Sequence, residues 1–327
     1  MPRLCFIHRT DVHVTDRSPS SWKGDYPAEI WSNLHQVGEL AKKHEANAVL
    51  DCGDYFHIKA ASRNSHSIVF QSAEVQAEYP CPTYCVEGNH DIAYNNLNTI
   101  EKQPLGVLYA AKVFQHLREQ VFEDGDLRVR VVGVPYSPTR TLNELRLIRK
   151  QPGDTFLIAL VHSLAGPNPP PSVEDFFGEP VFRYSDLVFP DGPDLWCFGH
   201  WHRDQGIVSL EGRTFLNQGA VSRGALIREN LERIPKVGII EVTKNGIVCI
   251  PHSLNVLPPS EVFDIERKER QDEQVQQIDQ FVQKIRADVL MDPEASIEDT
   301  LSNLSFATEI RELALHYLET ARLKKAG

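Results

Sequence analysis

The sequence predicts an α/β fold, and three features of the chain support that prediction. Short apolar runs rich in Val, Ile, Leu and Phe alternate with polar or helix-like stretches through the first 257 residues. The composition, 41% hydrophobic and 24% charged, is that of a chain whose core folds unaided. Apolar residues at helical spacing over Glu29–His44 indicate an amphipathic helix between two of the runs. Alternation of strands and helices is typical of layered α/β domains.

Seven runs are strand candidates, because each is apolar and bounded by turn-forming residues. In chain order they are Leu4–His8, Ala48–Asp51, Thr83–Val86, Val129–Val134, Phe156–Val161, Leu195–Phe198 and Arg213–Leu216. A hairpin follows, with Val237–Val242 and Ile247–Ile250 joined by the turn-forming pair Asn245-Gly246. Two long stretches, Thr15–Pro27 and Ala165–Pro193, are rich in turn residues. We expect them to be irregular loops that rim a site.

The pattern of apolar residues changes after Pro258-Pro259, from short continuous runs to stripes at helical spacing. We therefore assign residues 1–257 to a main domain and residues 258–327 to a helical C-terminal region. Apolar stripes at helical spacing predict helices over Asp264–Val289 and Phe306–Leu323. A region this small buries little surface by itself. Its stripes need a packing partner, which is the main domain, a second copy of the chain or another protein.

Length, charge and cysteine usage exclude several classes of protein. The longest apolar run, Phe156–Val161, has six residues, which is too short for a membrane span of about 20 or a signal peptide core of about 7–15. We expect a soluble cytoplasmic protein whose six cysteines are free core thiols. The net charge of -11 argues against a broadly basic nucleic-acid binder. Bound cations can still provide positive charge locally at a phosphate site.

Five polar clusters lie where predicted strands end. They are Asp11-Val12-His13, Gly53-Asp54, Gly88-Asn89-His90-Asp91, His162 and Gly199-His200-Trp201-His202. Because ligands of open α/β sheets bind beyond the carboxyl ends of strands, we expect these side chains to converge. A mixture of carboxylate, amide and imidazole groups without thiolate suits Mn, Fe or Zn. Seven such ligands suit two ions about 3.5–4 Å apart that share one carboxylate.

These blocks, in this order, resemble the calcineurin-like metallophosphoesterase superfamily, whose pattern is D-x-H, G-D, G-N-H-[DE], H and G-H-x-H. The resemblance covers roughly residues 1–255. It implies a four-layer α/β/β/α sandwich, to which the C-terminal helices would be an appendage. Within the superfamily, the segments Gly53–His57, Pro82–Asp91 and Phe198–Gln205 are most similar to the SbcD-type DNA repair nucleases.

The resemblance also implies a role for each polar residue. One ion would be held by Asp11, His13 and His202, the other by Asn89, His162 and His200, with Asp54 bridging the two. His90 would be the catalytic histidine near the scissile phosphate, and His57 would help to place a nucleic-acid backbone. We further expect Asp91 to orient the ring of His90. The expected cofactors are two divalent metal ions, Mn first, with Mg, Fe or Zn as alternatives.

The resemblance implies a DNA exonuclease and endonuclease of repair or recombination, in which a metal-bridging hydroxide attacks the phosphodiester in line. Its partners would be DNA, a coiled-coil ATPase of the SbcC type and a second copy of the chain, with no membrane. The C-terminal helices would then be the docking site for the ATPase. Basic residues near the site are candidates for phosphate contacts. They are Arg17, Lys23, Lys59, Arg63, Arg203 and Arg223.

Two other functions compete with the nuclease. A phosphoesterase for cyclic nucleotides or phosphomonoesters would use the same ions, and the acidic balance of the chain suits it. A non-catalytic interaction module would keep the fold and lose the chemistry. The presence of His90 and all seven candidate ligands argues against such a module. The helical tail and the Gly53–His57 block favour the nuclease.

Overall fold

The computed structural model describes residues 2–270 together with residues 272, 273, 275, 276 and 280. The chain divides into two compact units, Met1–Phe263 and Asp264–Gly327. In the second unit, residues 265–270 are helical. Most of the predicted helix Asp264–Val289 and all of the predicted helix Phe306–Leu323 lie outside the described residues.

The described residues contain two six-stranded sheets and one small strand pair. The strands are β1 (Arg3–Arg9), β2 (Ala48–Asp51), β3 (Thr83–Cys85), β4 (Phe114–His116), β5 (Glu119–Asp124), β6 (Leu127–Val134), β7 (Phe156–His162), β8 (Ala165–Gly166), β9 (Phe182–Arg183), β10 (Leu195–Gly199), β11 (Gly206–Leu210), β12 (Arg213–Asn217), β13 (Lys236–Thr243) and β14 (Gly246–Ser253). The first sheet has the order β14-β13-β1-β2-β3-β4, and the second has the order β11-β12-β10-β7-β6-β5. Strands β8 and β9 pair with each other.

The helices of the first unit are α1 (Tyr26–Lys43), α2 (His66–Ala77), α3 (Pro104–Ala110), α4 (Leu142–Leu145), α5 (Pro171–Phe177), α6 (Arg228–Glu232) and α7 (Pro259–Val262). The longest, α1, confirms the predicted amphipathic helix. Asp25 caps it by accepting a hydrogen bond from the backbone N–H of Ala28 at 3.1 Å. Its buried face carries Ile30, Leu34 and Val37.

Among the described residues, two apolar clusters join the layers. One joins inward-facing residues of both sheets, and the other covers the outer face of the second sheet. Strand β7 serves both, because alternate side chains point to opposite faces of a strand. Ile158 and Leu160 belong to the inner cluster, while Ala159 and Val161 belong to the outer one. This arrangement confirms the predicted α/β sandwich.

All seven predicted strands and the predicted hairpin are present, with ends that differ by at most three residues. The sequence did not predict β4, β5 or β11, which lie at sheet edges, are short or partly exposed and lack a continuous apolar run. The expectation that Ala165–Pro193 is wholly irregular is wrong. It contains β8, β9 and α5, because a proline in the first turn starts α5 instead of interrupting it.

The cysteines behave as the sequence predicted. All six are free, and Cys5, Cys52, Cys85 and Cys197 are buried in the core. Within the part of the chain that the structure describes, no helix has the length and apolar character needed to cross a bilayer.

His8 is a buried titratable group in the middle of the first sheet. Its side chain is inaccessible to solvent. The Nε2 atom lies 3.3 Å from the Sγ atom of Cys52, and Nδ1 has no hydrogen-bond partner among the described residues. Burial lowers the pKa of His8 from 6.5 to about 4. Protonation therefore favours the unfolded chain, in which the ring is solvated.

We predict that His8 makes the fold sensitive to mild acid. Its folded-state pKa is depressed, so its contribution to stability is complete above pH 6.5 and is lost as the pH falls towards about 4. Between about pH 7 and about pH 5 the loss attributable to this ring is about 2 kcal/mol. Denaturant unfolding of the wild type and His8→Leu at both pH values measures it. An equal loss of stability in the two proteins would contradict the assignment.

Candidate metal centre

The two sheets bring the predicted site residues together at one edge. Asp11 and His13 follow β1, and Asp54 follows β2 of the same sheet. His162 ends β7, and His200 follows β10 of the other sheet. Two groups have ligand atoms that lie within 4.8 Å of one another; they are Asp11, His13, Asp54 and His202, and Asp54, His162 and His200. Asp54 belongs to both groups, which is the position that the family resemblance implies for the bridging carboxylate.

Four of these residues have an unusual backbone. The φ angles of Asp11, His13, Asp54 and His200 are 52°, 53°, 55° and 83°, in the left-handed region that residues with a Cβ avoid. Such strain costs about 1–3 kcal/mol per residue and clusters at functional sites. Hydrogen bonds between the loops after β1 and β2 stabilise this backbone conformation. The N–H of Asp11 donates to the carbonyl of Gly53, and that of His13 donates to the carbonyl of Asp54, each at 3.0 Å.

Gly88 explains why the third cluster begins with glycine. A Cβ atom at this position would lie 2.1 Å from the Oδ1 atom of Asp54, well inside van der Waals contact. The glycine therefore lets the loop after β3 pack directly on the candidate bridging carboxylate. In that loop, the backbone N–H of His90 donates to the same Oδ1 atom at 2.7 Å. Gly88 and His90, two residues apart, thus hold the Asp54 side chain in place, the first by close packing and the second by a hydrogen bond.

In the group formed by Asp11, His13, Asp54 and His202, atoms that can donate a lone pair to a metal lie close together. The Nε2 atoms of His13 and His202 lie 2.9 Å apart, so at most one proton can lie between them. The Nε2 atom of His202 is 3.4 Å from Oδ1 of Asp11, and that of His13 is 3.8 Å from Oδ2 of Asp54. A divalent cation would be attracted to all four atoms at once. The residues present therefore fit a metal ion.

In the group formed by Asp54, His162 and His200, atoms with lone pairs likewise face one another, here around the side chain of Asn89. The Nδ1 atom of His162 donates to the carbonyl of Cys52 at 2.6 Å, which leaves the lone pair on Nε2 facing the centre. One terminal atom of the Asn89 amide lies 3.1 Å from Oδ2 of Asp54, 3.3 Å from Nε2 of His162 and 3.1 Å from Nδ1 of His200. All three partner atoms are acceptors. An amide nitrogen at this position would donate hydrogen bonds to the three acceptor atoms. An amide oxygen at this position would instead bind a cation together with them.

The shifts of Asp11, His13 and His162 favour the metal-binding protonation states, whereas that of His202 favours the protonated ring. Burial alone would raise the pKa of Asp11, but the hydrogen bond with His202 and the neighbouring imidazoles lower it below its usual range. Burial lowers the pKa values of His13 and His162. Burial also opposes a charge on His202, yet its hydrogen bond to Asp11 raises the pKa of that ring. Neutral imidazoles beside a carboxylate are the state in which these groups bind a cation.

His90 and His57 lie on the open side of the centre. Their ring centroids are 5.7 Å apart, and the ring of His90 is 4.8 Å from that of His13. The three histidines form a further group of nitrogen atoms within 4.8 Å of one another, which the sequence did not predict. Burial, followed by the charge of Lys59, lowers the pKa of His90 to about 4, although its hydrogen bond with the His57 carbonyl opposes this shift.

The prediction that Asp91 orients the ring of His90 is wrong. The carboxylate of Asp91 accepts hydrogen bonds from the backbone N–H groups of Gly88, Phe56 and Tyr55 at 2.9, 3.1 and 3.3 Å. The Nδ1 atom of His90 bonds instead to the carbonyl of His57. Asp91 therefore joins the loop after β2 to the loop after β3, and the backbone of one loop orients the histidine of the other.

The centre opens into a cavity of about 950 Å³, and the predicted basic residues differ in their relation to it. Arg63 and Arg203 line the cavity, as does Arg17. The Nζ atom of Lys59 lies 3.0 Å from the other terminal atom of Asn89. Lys23 does not line the cavity; its Nζ atom lies 3.5 Å from the carbonyl of Ser260.

The prediction that Arg223 contacts substrate is wrong. Its side chain is 1% exposed, so it cannot reach a phosphate in the cavity. The guanidinium donates to both carboxylate oxygens of Glu29, at 3.2 and 2.7 Å, and to the carbonyl of Leu257 at 2.8 Å. Arg223 thus ties the loop after β12 to the first turn of α1. A basic residue that lines the cavity and was not predicted is Arg233.

The sequence did not predict two residues that contact the centre, Glu179 and Tyr136. The Oε2 atom of Glu179 lies 3.0 Å from Nε2 of His200, and the hydroxyl of Tyr136 donates to Oε1 of the same carboxylate. Burial opposes the charge of Glu179, but the bonds to His200 and Tyr136 lower its pKa. Tyr136 follows β6 and could have been found by the strand-end rule. Glu179 follows α5, and no local pattern marks it.

The model of the calcineurin-like phosphoesterase family matches residues 6–204. A comparison with curated proteins found no match.

Among solved structures, the chain is similar to a Staphylococcus aureus protein named as a 5′-nucleotidase (15% identity, TM-score 0.48, covering 78% of this chain and 54% of that one). It is also similar to the sulfate thiohydrolase SoxB of Thermus thermophilus (12% identity, TM-score 0.46, covering 78% of this chain and 57% of that one). A third similar structure is the calcineurin-like phosphoesterase YfkN of Bacillus subtilis (11% identity, TM-score 0.43, covering 80% of this chain and 94% of that one). The chain thus spans little more than half the length of the first two.

We predict that Glu179→Ala weakens one metal site and spares the other. The Glu179 carboxylate holds the proton on Nε2 of His200, which leaves the Nδ1 lone pair facing Asp54 and Asn89. Losing such a partner lowers metal affinity by about 10- to 100-fold. Calorimetric titration with Mn²⁺ should show this loss in one of two binding steps. Asp175→Ala, an exposed acid on α5 that does not line the cavity, is the matched control. Equal affinities in wild type and Glu179→Ala would refute the role.

Proposed function

This chain belongs to the calcineurin-like phosphoesterase family, and we propose that within it the protein is a nuclease of the SbcD type that hydrolyses DNA phosphodiesters. Membership of the family makes it a metal-dependent hydrolase, and its two donor groups around Asp54 suit a pair of divalent ions. The choice of Mn²⁺ as the working ion belongs to the proposal.

The observation that carries the proposal is the presence of unpaired arginines in the cavity. The volume of about 950 Å³ lies within the ~300–1,000 Å³ found for small-ligand pockets, so size does not decide between DNA and a small ester. Arg63 and Arg203 line the cavity and form no ion pair among the described residues, whereas Arg17, which also lines it, lies 3.7 Å from Asp16. Free guanidinium groups beside a cation centre suit a substrate with several phosphates.

The chemistry follows from the residues around the centre. Two bound cations would supply positive charge to the phosphodiester and acidify a water for attack. Because the pKa of His90 is lowered to about 4, its ring is neutral at pH 7, with Nδ1–H donating to the His57 carbonyl. To protonate a leaving alkoxide, the ring must first take up a proton at Nε2. The anionic substrate favours that step, since a negative charge nearby raises the pKa of an imidazole.

A small-substrate phosphoesterase is the second candidate function. The net charge of -11 supports it, because an acidic protein repels a long polyanion and tolerates a small ester. Arg63 and Arg203 favour the nuclease, since these two arginines place unpaired positive charge in the cavity where DNA would bind. A non-catalytic module is disfavoured, because the donor groups converge and His90 faces them.

The partners are part of the proposal. DNA would be the substrate, and a coiled-coil ATPase of the SbcC type and a second copy of the chain would complete the assembly. This part rests on the resemblance of the sequence alone. The ATPase would dock on the predicted C-terminal helices, of which the structure describes only the beginning of the first.

We predict that the wild type cleaves single-stranded DNA with Mn²⁺ and that His90→Ala lowers the rate by about 10²- to 10⁴-fold. The variant should keep the wild-type stoichiometry of Mn²⁺, measured by calorimetric titration. His35→Ala is a suitable control, because His35 lies on α1 outside the cavity and pairs with Glu78. Turnover of cyclic nucleotides or bis-p-nitrophenyl phosphate without cleavage of DNA would favour the second function. Loss of an ion in His90→Ala would make that residue a ligand.

A further inference from the structure

Helix α5 presents two aromatic rings on the wall of the cavity. Phe176 is 82% exposed and Phe177 is 38% exposed, and both line the cavity. The helix ends at Gly178, whose φ of 67° turns the chain so that Glu179 reaches His200. The two phenylalanines are thereby anchored beside the metal centre. An exposed apolar surface beside a cluster of metal-binding groups marks a contact site for a ligand.

The rings and the centre are close enough to serve one substrate. The ring centroid of Phe177 lies 5.7 Å from that of His200, a candidate ligand. The centroids of Phe176 and Phe177 are 5.0 Å apart with an angle of 81° between the planes. An edge-to-face contact covers at most one face of a ring, so at least one face of Phe176, the more exposed ring, is open. A group that stacks there would therefore be joined to a phosphate at the centre by a short linker such as a sugar.

We propose that Phe176 and Phe177 form a stacking subsite for a nucleobase next to the scissile phosphate. The inference rests on the proposed nuclease function and identifies how its substrate is held. Aromatic rings that stack bases beside cationic side chains that contact phosphates are the usual means of binding a single strand. Here Arg63 and Arg203 line the same cavity as the rings. Because every base has a π-face, this subsite does not distinguish sequence.

The subsite selects among DNA forms. A base within a duplex is already stacked on its neighbours, so it reaches Phe176 only after it leaves the helix. The site therefore favours single strands and frayed ends. A protein partner is a poorer occupant, because the rings line a concave cavity that also contains the metal-binding groups and arginines.

The experiment compares two oligonucleotides that each contain one cleavable phosphodiester among phosphorothioate linkages. In one of them the nucleotides on both sides of that bond are abasic. With Mn²⁺, the wild type should show a kcat/KM about 5- to 150-fold lower on the abasic substrate, the range expected for one stacked base. The double variant Phe176→Ala/Phe177→Ala should cleave both substrates at the lower rate. Phe176→Trp should keep the difference, because its larger ring also stacks.

The controls separate the possible failures. Phe70→Ala removes an exposed phenylalanine of α2 outside the cavity and should leave the difference intact. Circular dichroism and Mn²⁺ titration of the double variant establish that fold and ions are retained. Equal cleavage of both substrates by the wild type would overturn the subsite and leave the nuclease standing. Cleavage of neither substrate would overturn the nuclease itself. A changed oligomeric mass in the double variant with base discrimination intact would assign the rings to a protein interface.

Discussion

The mutual repulsion of converging lone pairs is the constraint on which the rest of this site depends. Asp11 and Asp54 are buried, and the imidazole nitrogens that face them have few protons to share. The backbone N–H of His200 donates to Asp11 and that of His90 donates to Asp54, but a buried charge without a cationic partner remains costly. A pair of divalent cations would offset that cost, because each ion would be attracted to every donor atom around it. Asp11, Asp54 and the imidazoles would hold the ions, which would supply positive charge to an anionic substrate.

The fold maintains this arrangement through a buried ion pair just behind the centre. The Nε atom of Arg9 donates to Oδ2 of Asp51 at 2.7 Å, and both side chains are buried. The other oxygen of Asp51 accepts the N–H of Gly53 at 3.0 Å. The pair therefore links the last residues of β1 and β2 to the loop that carries Asp54. Rigid strand ends of this kind can hold several left-handed residues in place.

The sequence predicted what local patterns encode. Apolar runs identified the strands, and the clusters at their ends identified the residues that meet around Asp54. The errors concern contacts between distant segments. Arg223 pairs with Glu29, 194 residues away, and no local signal distinguishes it from a free arginine. Asp91 has the right position to orient His90, but the backbone of the neighbouring loop takes its hydrogen bonds. Glu179 reaches His200 only because α5 forms inside a stretch that the prolines made look irregular.

The central claim is that Asp54 bridges two cations held by donors from both sheets. Crystals grown with Mn²⁺ and measured at wavelengths on either side of the Mn absorption edge test it most directly. The account predicts two anomalous peaks about 3.5–4 Å apart, one on each side of the Asp54 carboxylate, the first beside Asp11, His13 and His202 and the second beside Asn89, His162 and His200. A single peak, or two peaks that do not share Asp54, would contradict it.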